Sequence, residues 1–243
     1  MRFVLAFGLC ASLLAVSASD LARQSKGTWL VLVILEYYLA VCFLTIAAIY
    51  GIREAGFRVE GVLVGSRWTP LIRSIVMPYL ALGTSTLYLY RWVGPERAFD
   101  PVAPNLLIGR LPFPIERDQL HADGVQAILN LSWEFPRLSR IHLDSRFKTL
   151  NLPILDGSIP TLEQFEAAVE WISRCRAEGN TVLIHCAQGH GRSATILAAS
   201  LVHLGLASGV DHALSMVTAA RPLAKPSRRQ KLALNQYFLV RAS

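Results

Sequence analysis

The run His185-Cys186-Ala187-Gln188-Gly189-His190-Gly191-Arg192-Ser193 follows the apolar stretch Thr181-Val182-Leu183-Ile184. These residue types suit one task, which is to hold an oxyanion against a nucleophilic sulfur. Glycines at 189 and 191 allow backbone conformations with positive φ, so several N–H groups can turn toward one centre. An arginine at the expected start of a helix adds a planar fork that matches phosphate oxygens, and the helix N-terminus adds partial positive charge. The loop therefore favours negative charge at its centre, first the Cys186 thiolate and then a phosphoryl group bonded to it. Alone, a cysteine at a strand end reads as a buried structural thiol. The glycines, arginine and serine at fixed offsets turn the reading toward catalysis, with a sulfurtransferase loop as the lesser competitor.

His-Cys-x5-Arg-Ser, here from His185 to Ser193, resembles the signature of the cysteine-based protein tyrosine and dual-specificity phosphatases at every defining position. The resemblance implies that Cys186 attacks phosphorus, that Arg192 grips the equatorial oxygens and that Ser193 helps the thiolate leave a phosphocysteine intermediate. It also implies that Ala187, Gln188, Gly189, His190, Gly191 and Arg192 cradle the phosphate, that His185 supports the loop and that no metal or other cofactor takes part. Gln188 and His190 occupy variable positions, and His190 is expected to point toward substrate or solvent. The loop carries no lysine, which weighs against a polyphosphoinositide substrate.

A thiolate displaces an alkoxide or phenoxide at neutral pH only if the departing oxygen is protonated. The expected general acid is Asp156, in Leu150-Asn151-Leu152-Pro153-Ile154-Leu155-Asp156-Gly157-Ser158-Ile159-Pro160, a strand-like segment entering a turn. Its offset from Cys186 resembles that of the acid in dual-specificity phosphatases. An ordinary Asp-Gly turn is the competing reading. Asp144 is the alternative acid, in the more polar stretch Ile141-His142-Leu143-Asp144-Ser145-Arg146, where a solvated surface carboxylate is expected.

These groups need an α/β scaffold. Residues 105–109, 127–131 and 182–185 read as short buried strands of a central, mostly parallel sheet flanked by helices. Thr161-Leu162-Glu163-Gln164 has the capping-box pattern; Phe165, Val169 and Ile172 then recur on one helical face until Gly179. A helix apolar nearly all round is expected over 192–206, and further helices over 210–220 and 228–240. The Arg221-Pro222 pair and Gln230 resemble the end of a dual-specificity phosphatase domain. Cys175, on the apolar side of its helix, is expected to be simply buried; a regulatory disulfide with Cys186 is the lesser alternative. Arg228, Arg229 and Lys231 are expected to form a solvated helix face, with membrane-surface contact as the lesser alternative.

Residues 1–94 read as a membrane region and 95–243 as the phosphatase-like domain. Residues 28–51 contain one charge, Glu36, and are long enough to span a bilayer. Residues 74–93 form a second expected span, interrupted by Pro78 and ending in Tyr88, Tyr90, Arg91 and Trp92. Residues 3–16 fit a cleaved signal or a short first span. Glu36 is expected to face other helices or to snorkel, with a functional intramembrane site as the lesser alternative. The basic residues on the two sides, Arg53, Arg58, Arg67 and Arg73 against Arg23, Lys26, Arg91, Arg97 and Arg110, set only a small orientation bias. Reactive thiol chemistry favours a reducing, cytoplasmic location for the catalytic domain.

A mean hydropathy of +0.39 with 53% hydrophobic residues exceeds that of an ordinary soluble domain, and the excess lies in the first ninety or so residues. A net charge of +7 suits anionic lipid or phosphorylated substrates and does not imply nucleic acid. No zinc-ligand spacing, Walker loop, dinucleotide fingerprint or internal repeat is present. The expected protein is thus an integral membrane phosphomonoesterase acting on phosphotyrosine, phosphoserine or phosphothreonine proteins, or on a phospholipid headgroup. The lipid option draws on Leu155-Asp156-Gly157-Ser158-Ile159-Pro160-Thr161-Leu162, which resembles the acid loop of mitochondrial-type phosphatidylglycerophosphate phosphatases. A catalytically silent phosphate-binding membrane scaffold is the alternative from another class.

Overall fold

The computed structural model describes residues 2–24, 29–57, 59–63, 66–94, 96–135 and 144–242. The chain divides into two compact units, Met1–Leu89 and Tyr90–Ser243. Thr28, Lys26, Arg58, Pro95 and residues 141–143, named above, lie outside the described residues.

In the first unit, α1 (Arg2–Gln24) and α2 (Leu30–Glu54) pack along each other. Aromatic rings lock one end of this pair, with Phe3 and Phe7 against Tyr50 at centroid distances of 5.1 and 6.1 Å. Nearer the other end the contacts are polar. Ser17 Oγ donates to Glu36 Oε1 (3.3 Å), and Ser19 Oγ lies 2.9 Å from Tyr37 Oη. Glu36 thus faces α1, as a lone carboxylate among apolar residues should.

Among the described residues two helical stretches are long and apolar enough to cross a membrane, Arg2–Arg23 and Leu30–Glu54, with mean hydropathies of 1.9 and 2.4. The helix at the N-terminus is therefore longer than the expected 3–16. Within the expected span 74–93 the helix is divided: α4 (Thr69–Ile75), which follows the short α3 (Glu60–Leu63), is capped at Val76, and α5 (Met77–Val93) is a separate helix of 17 residues. Pro78 has no N–H to continue the α4 ladder but is suited to the first turn of a new helix. Gly83, Thr84, Ser85 and Thr86 then dilute the apolar character of α5.

The second unit is built on strands β1 (Phe99–Ala103), β2 (Leu106–Gly109), β3 (Val125–Ser132), β4 (Lys148–Ile154) and β5 (Thr181–His185). Their order in the sheet is β1-β2-β5-β3-β4; β1 is antiparallel to β2 and the other pairs are parallel. The apolar runs in β2, β3 and β5 follow from burial on both faces, as parallel strands require. On one face lie α7 (Leu162–Ala177), α8 (Arg192–His203), α9 (Val210–Ala220) and α10 (Arg228–Ala242), packed through Phe165, Ile172, Leu197, Val217 and Leu234. The other face is closed by α6 (Arg117–Ala122), whose Leu120 meets Leu107, Ile128 and Leu183. Each of these buried side chains contributes about 1.5–3 kcal/mol relative to exposure.

The capping box at the start of α7 is formed in full: Thr161 Oγ1 accepts from Gln164 N (3.2 Å) and Gln164 Oε1 accepts from Thr161 N (2.9 Å). Gly179, at φ 82°, follows the helix end. β1 had no counterpart in the sequence reading; it is a short edge strand carrying Asp100 and Pro101, residues that strands usually avoid. Cys175 is buried in the α7 core, and burial raises its thiol pKa, which suits an inert packing residue.

Candidate active site

The C-terminal ends of the parallel strands β3, β4 and β5 deliver Glu134, Asp156 and Cys186 to one side of the sheet, where α/β folds place their ligands. From His185 the chain turns through the loop 186–191 directly into α8, whose first residue is Arg192. His185 is fully buried with Nδ1 3.2 Å from the Cys186 carbonyl. Burial lowers its pKa from 6.5 to about 4, so the imidazole is neutral and rigidly placed.

The two loop glycines have different reasons. Gly189 takes φ 82°, and its N–H donates to Cys186 Sγ (3.3 Å). A Cβ there would also lie 2.5 Å from the Gly109 carbonyl oxygen. Gly191 has φ −85°, which any residue adopts, so the expected positive φ is found only at 189. Space is what position 191 needs, because a Cβ would come 3.1 Å from Gln230 Oε1. Gln230 in turn donates through Nε2 to the Ser158 carbonyl (3.0 Å), which joins the acid-bearing turn to α10.

Ser193 Oγ lies 3.5 Å from Cys186 Sγ, within reach of a departing thiolate. Arg192 is 1% exposed. Its Nη1 is committed to two fixed acceptors, Glu134 Oε2 (2.9 Å) and the Ile154 carbonyl (2.8 Å). Nη2 pairs with Asp156 Oδ1 (3.1 Å), and Nε is buried with no hydrogen-bond partner among the described residues. One edge of the guanidinium is thus anchored, while the Nε/Nη2 edge has the parallel donor geometry that two phosphate oxygens need. Burial alone would lower the Arg192 pKa, but Glu134, Cys186 and Asp156 outweigh it and raise it. The guanidinium is permanently charged.

Glu134 was not foreseen from the sequence. Burial pushes its carboxyl up and the Arg192 charge pulls it back down, leaving it raised. The available signal was a lone acidic residue directly after a buried strand and a buried tryptophan, Trp133.

A family model described as "Tc-R-P: Polymorphic toxin system, DSP-PTPase phosphatase" matches residues 115–206. The phosphatidylglycerophosphate phosphatase PTPMT1 of Arabidopsis thaliana is 31% identical over 156 residues, 63% of this chain and 44% of the plant protein. The Homo sapiens phosphatidylglycerophosphatase and protein-tyrosine phosphatase 1 is 26% identical over 168 residues, 65% of this chain and 80% of its own length. Among solved structures, Tk-PTP in the active form is 29% identical with a TM-score of 0.53, covering 60% of this chain and 97% of that one. In sequence and in fold the second unit is similar to the cysteine-based phosphatase superfamily. This chain spans less than half the length of the first curated relatives it matches.

Within the phosphatase domain Asp156 stands on the turn after β4, with its side chain 58% exposed and one oxygen on Arg192. A carboxyl so placed is near the phosphate site yet in contact with solvent, as a group that both gives and takes a proton must be. Asp144, the alternative acid, lies before β4 begins and hence at the opposite end of that strand. It is held by Arg146 (2.7 Å) and approached by Arg117 (3.8 Å), not merely solvated. The hydrogen bonds from Arg146 bring its pKa down to about 2.

His190 departs from expectation. Its Nε2 is 2.6 Å from Glu96 Oε2, and its ring packs edge-on against Tyr90 at 6.0 Å. The side chain is directed to a nearly buried carboxylate instead of solvent. Glu96 also accepts from Arg221 Nη2 (3.0 Å), and that same Nη2 donates to the Gln188 carbonyl (3.0 Å). Ala187 O accepts from Leu111 N (3.0 Å).

Proposed function

We propose that this protein is a membrane-anchored, metal-independent phosphomonoesterase acting through a phosphocysteine intermediate. The Cys186 thiolate attacks phosphorus while the bond to the leaving oxygen breaks, and the Asp156 carboxyl donates its proton to that oxygen. Arg192 carries the equatorial charge through its Nε/Nη2 edge. The Asp156 carboxylate then takes a proton from water as the water attacks phosphorus; the P–S bond breaks and Ser193 donates a hydrogen bond to the departing sulfur. The observation that carries this reading is the fixed edge of Arg192, held by Glu134 and the Ile154 carbonyl so that the other edge meets a phosphoryl group above Cys186.

Two apolar helices, Arg2–Arg23 and Leu30–Glu54, support a bilayer anchor for residues ahead of the phosphatase domain. Thiol chemistry supports a cytoplasmic catalytic face. A bilayer anchor concentrates the enzyme at lipid substrates. The names of two relatives, both phosphatidylglycerophosphate phosphatases, favour a phospholipid headgroup. Phosphoprotein is the second reading, favoured by relatives named tyrosine-protein and dual-specificity protein phosphatases.

The test is phosphate release by the full chain in detergent, reduced and with chelator present, from an aryl phosphate, a phosphotyrosine peptide and phosphatidylglycerophosphate. Release that vanishes in Cys186→Ser and persists with chelator is expected, with Asp156→Ala slowing the alkyl ester more than the aryl ester. Release unchanged in Cys186→Ser would refute the mechanism, and a folded chain that binds phosphate without turnover would establish the scaffold.

A further inference from the structure

Four contacts fix the far turn of the phosphate loop, the part that does not contain Cys186 or Arg192. Leu111 N holds the Ala187 carbonyl, the Gly189 backbone lies against Gly109, Arg221 holds the Gln188 carbonyl and Glu96 holds the His190 ring. The last two share one atom, because Glu96 Oε2 takes both Arg221 Nη2 and His190 Nε2, with Tyr90 Oη as a third donor at 3.0 Å. Arg221 is itself fully buried and retains two further acceptors, Asp100 Oδ2 (2.7 Å) and the Arg97 carbonyl (3.0 Å). Its place in the fold therefore does not depend on Glu96, whereas the His190 ring nitrogen has no other hydrogen-bond partner among the described residues.

We propose that Glu96 is a positioning residue for the reaction: by binding His190 and Arg221 together it holds residues 188–191 in the shape that directs their N–H groups at the phosphoryl oxygens. The proposal rests on the phosphatase reading, since it assigns the loop to a phosphoryl group. Its physical basis is the cost of loop order. A loop that must converge several N–H groups on one anion loses affinity whenever its backbone samples other conformations, so a restraint at its outer turn strengthens anion binding without touching the anion. Charge-assisted bonds at a nearly buried site are well suited to that restraint. Glu96 is 9% exposed and His190 22%, so these bonds are largely shielded from competing water.

The experiment uses the full chain in detergent and two readouts. The first is tungstate binding to each variant by calorimetry, which reports loop shape whether or not the protein turns over. The second is kcat and KM for an aryl phosphate. Glu96→Gln and His190→Ala are each expected to weaken tungstate binding and lower kcat/KM by about tenfold, with the thermal midpoint little changed. The double variant is expected to be no worse than the poorer single one, because both remove the same restraint. Tungstate affinity within twofold of wild type in both single variants would overturn the proposal, as would losses that add fully in the double variant. If the wild type binds tungstate but releases no phosphate, the phosphatase reading fails alone, and the binding series still decides the role of Glu96. If Glu96→Gln does not fold, His190→Ala decides the proposal, since that side chain lies at the edge of the loop and its loss leaves the Arg221 contacts in place.

Discussion

Glu134 and Glu96 both hold residues at the loop between β5 and α8, and they do so differently. Glu134 is buried and serves a single cation, Arg192. Glu96 is also nearly enclosed but is shared among an imidazole, a guanidinium and a phenol. A carboxylate with one charged partner orients that partner strictly, and its loss leaves an uncompensated buried charge. A shared carboxylate distributes its effect: Arg221 keeps other acceptors when it is lost, whereas the His190 ring loses its hydrogen bond. The loop is thus rigid where the guanidinium must meet phosphate and supported by several weaker restraints where it only has to keep its curvature.

Replacing Arg192 by lysine should cause the largest loss. An ammonium cannot satisfy Glu134, the Ile154 carbonyl and two phosphate oxygens at once, and kcat/KM for an aryl phosphate should fall by about 10²–10³. A loss below tenfold would mean that the fixed edge is not what places the other edge. Glu134→Gln comes next. It keeps the shape and removes the charge, leaving buried Arg192 with the exposed Asp156 in place of its buried anion, and breaking a buried pair costs up to about 3–5 kcal/mol. Both the denaturation midpoint and tungstate affinity should drop, in contrast to Glu96→Gln, where binding falls with little change in stability. Equal stability losses in the two variants would erase the distinction between them.

The smallest expected effect on activity at neutral pH comes from His185, which instead gives stability a pH dependence. Its folded pKa of about 4 lies below its ordinary 6.5, so between these values the unfolded chain binds more protons than the folded one. Stability from this source is fully present above pH 6.5 and declines as pH falls toward 4. Urea unfolding at a series of pH values should show that slope in wild type and a shallower one in His185→Asn; identical slopes would dissociate it from His185.

Legibility in the sequence followed distance along the chain. Cys186, Gly189, Arg192 and Ser193 share one short run, and Asp156 stands on a strand–turn segment with Gly157 and Pro160, so local pattern was enough. Glu134 meets Arg192 across 58 residues and Glu96 meets His190 across 94, so neither pairing is written in a local pattern. The one local signal is at Glu134, which directly follows an apolar strand and Trp133. The sheet was legible through its buried apolar strands, whereas β1 was missed because an edge strand has little apolar run to display. The division of 74–93 at Val76 was missed because Pro78 was read as an interruption inside one span, although it serves equally as the first turn of another helix.

Gly189 and Gly109 each lack room for a methyl group, but against different neighbours: a Cβ on Gly189 would sit 2.5 Å from the Gly109 oxygen, whereas one on Gly109 would sit 2.7 Å from the Ala98 oxygen. Position 189 belongs to the signature, but position 109 lies outside it, at the end of β2. Mutational drift at 189 is therefore constrained by the backbone at the end of β2 and drift at 109 by the chain leading into β1, and random mutagenesis selected for activity should return glycine at both sites, even though only one of them needs glycine's left-handed backbone.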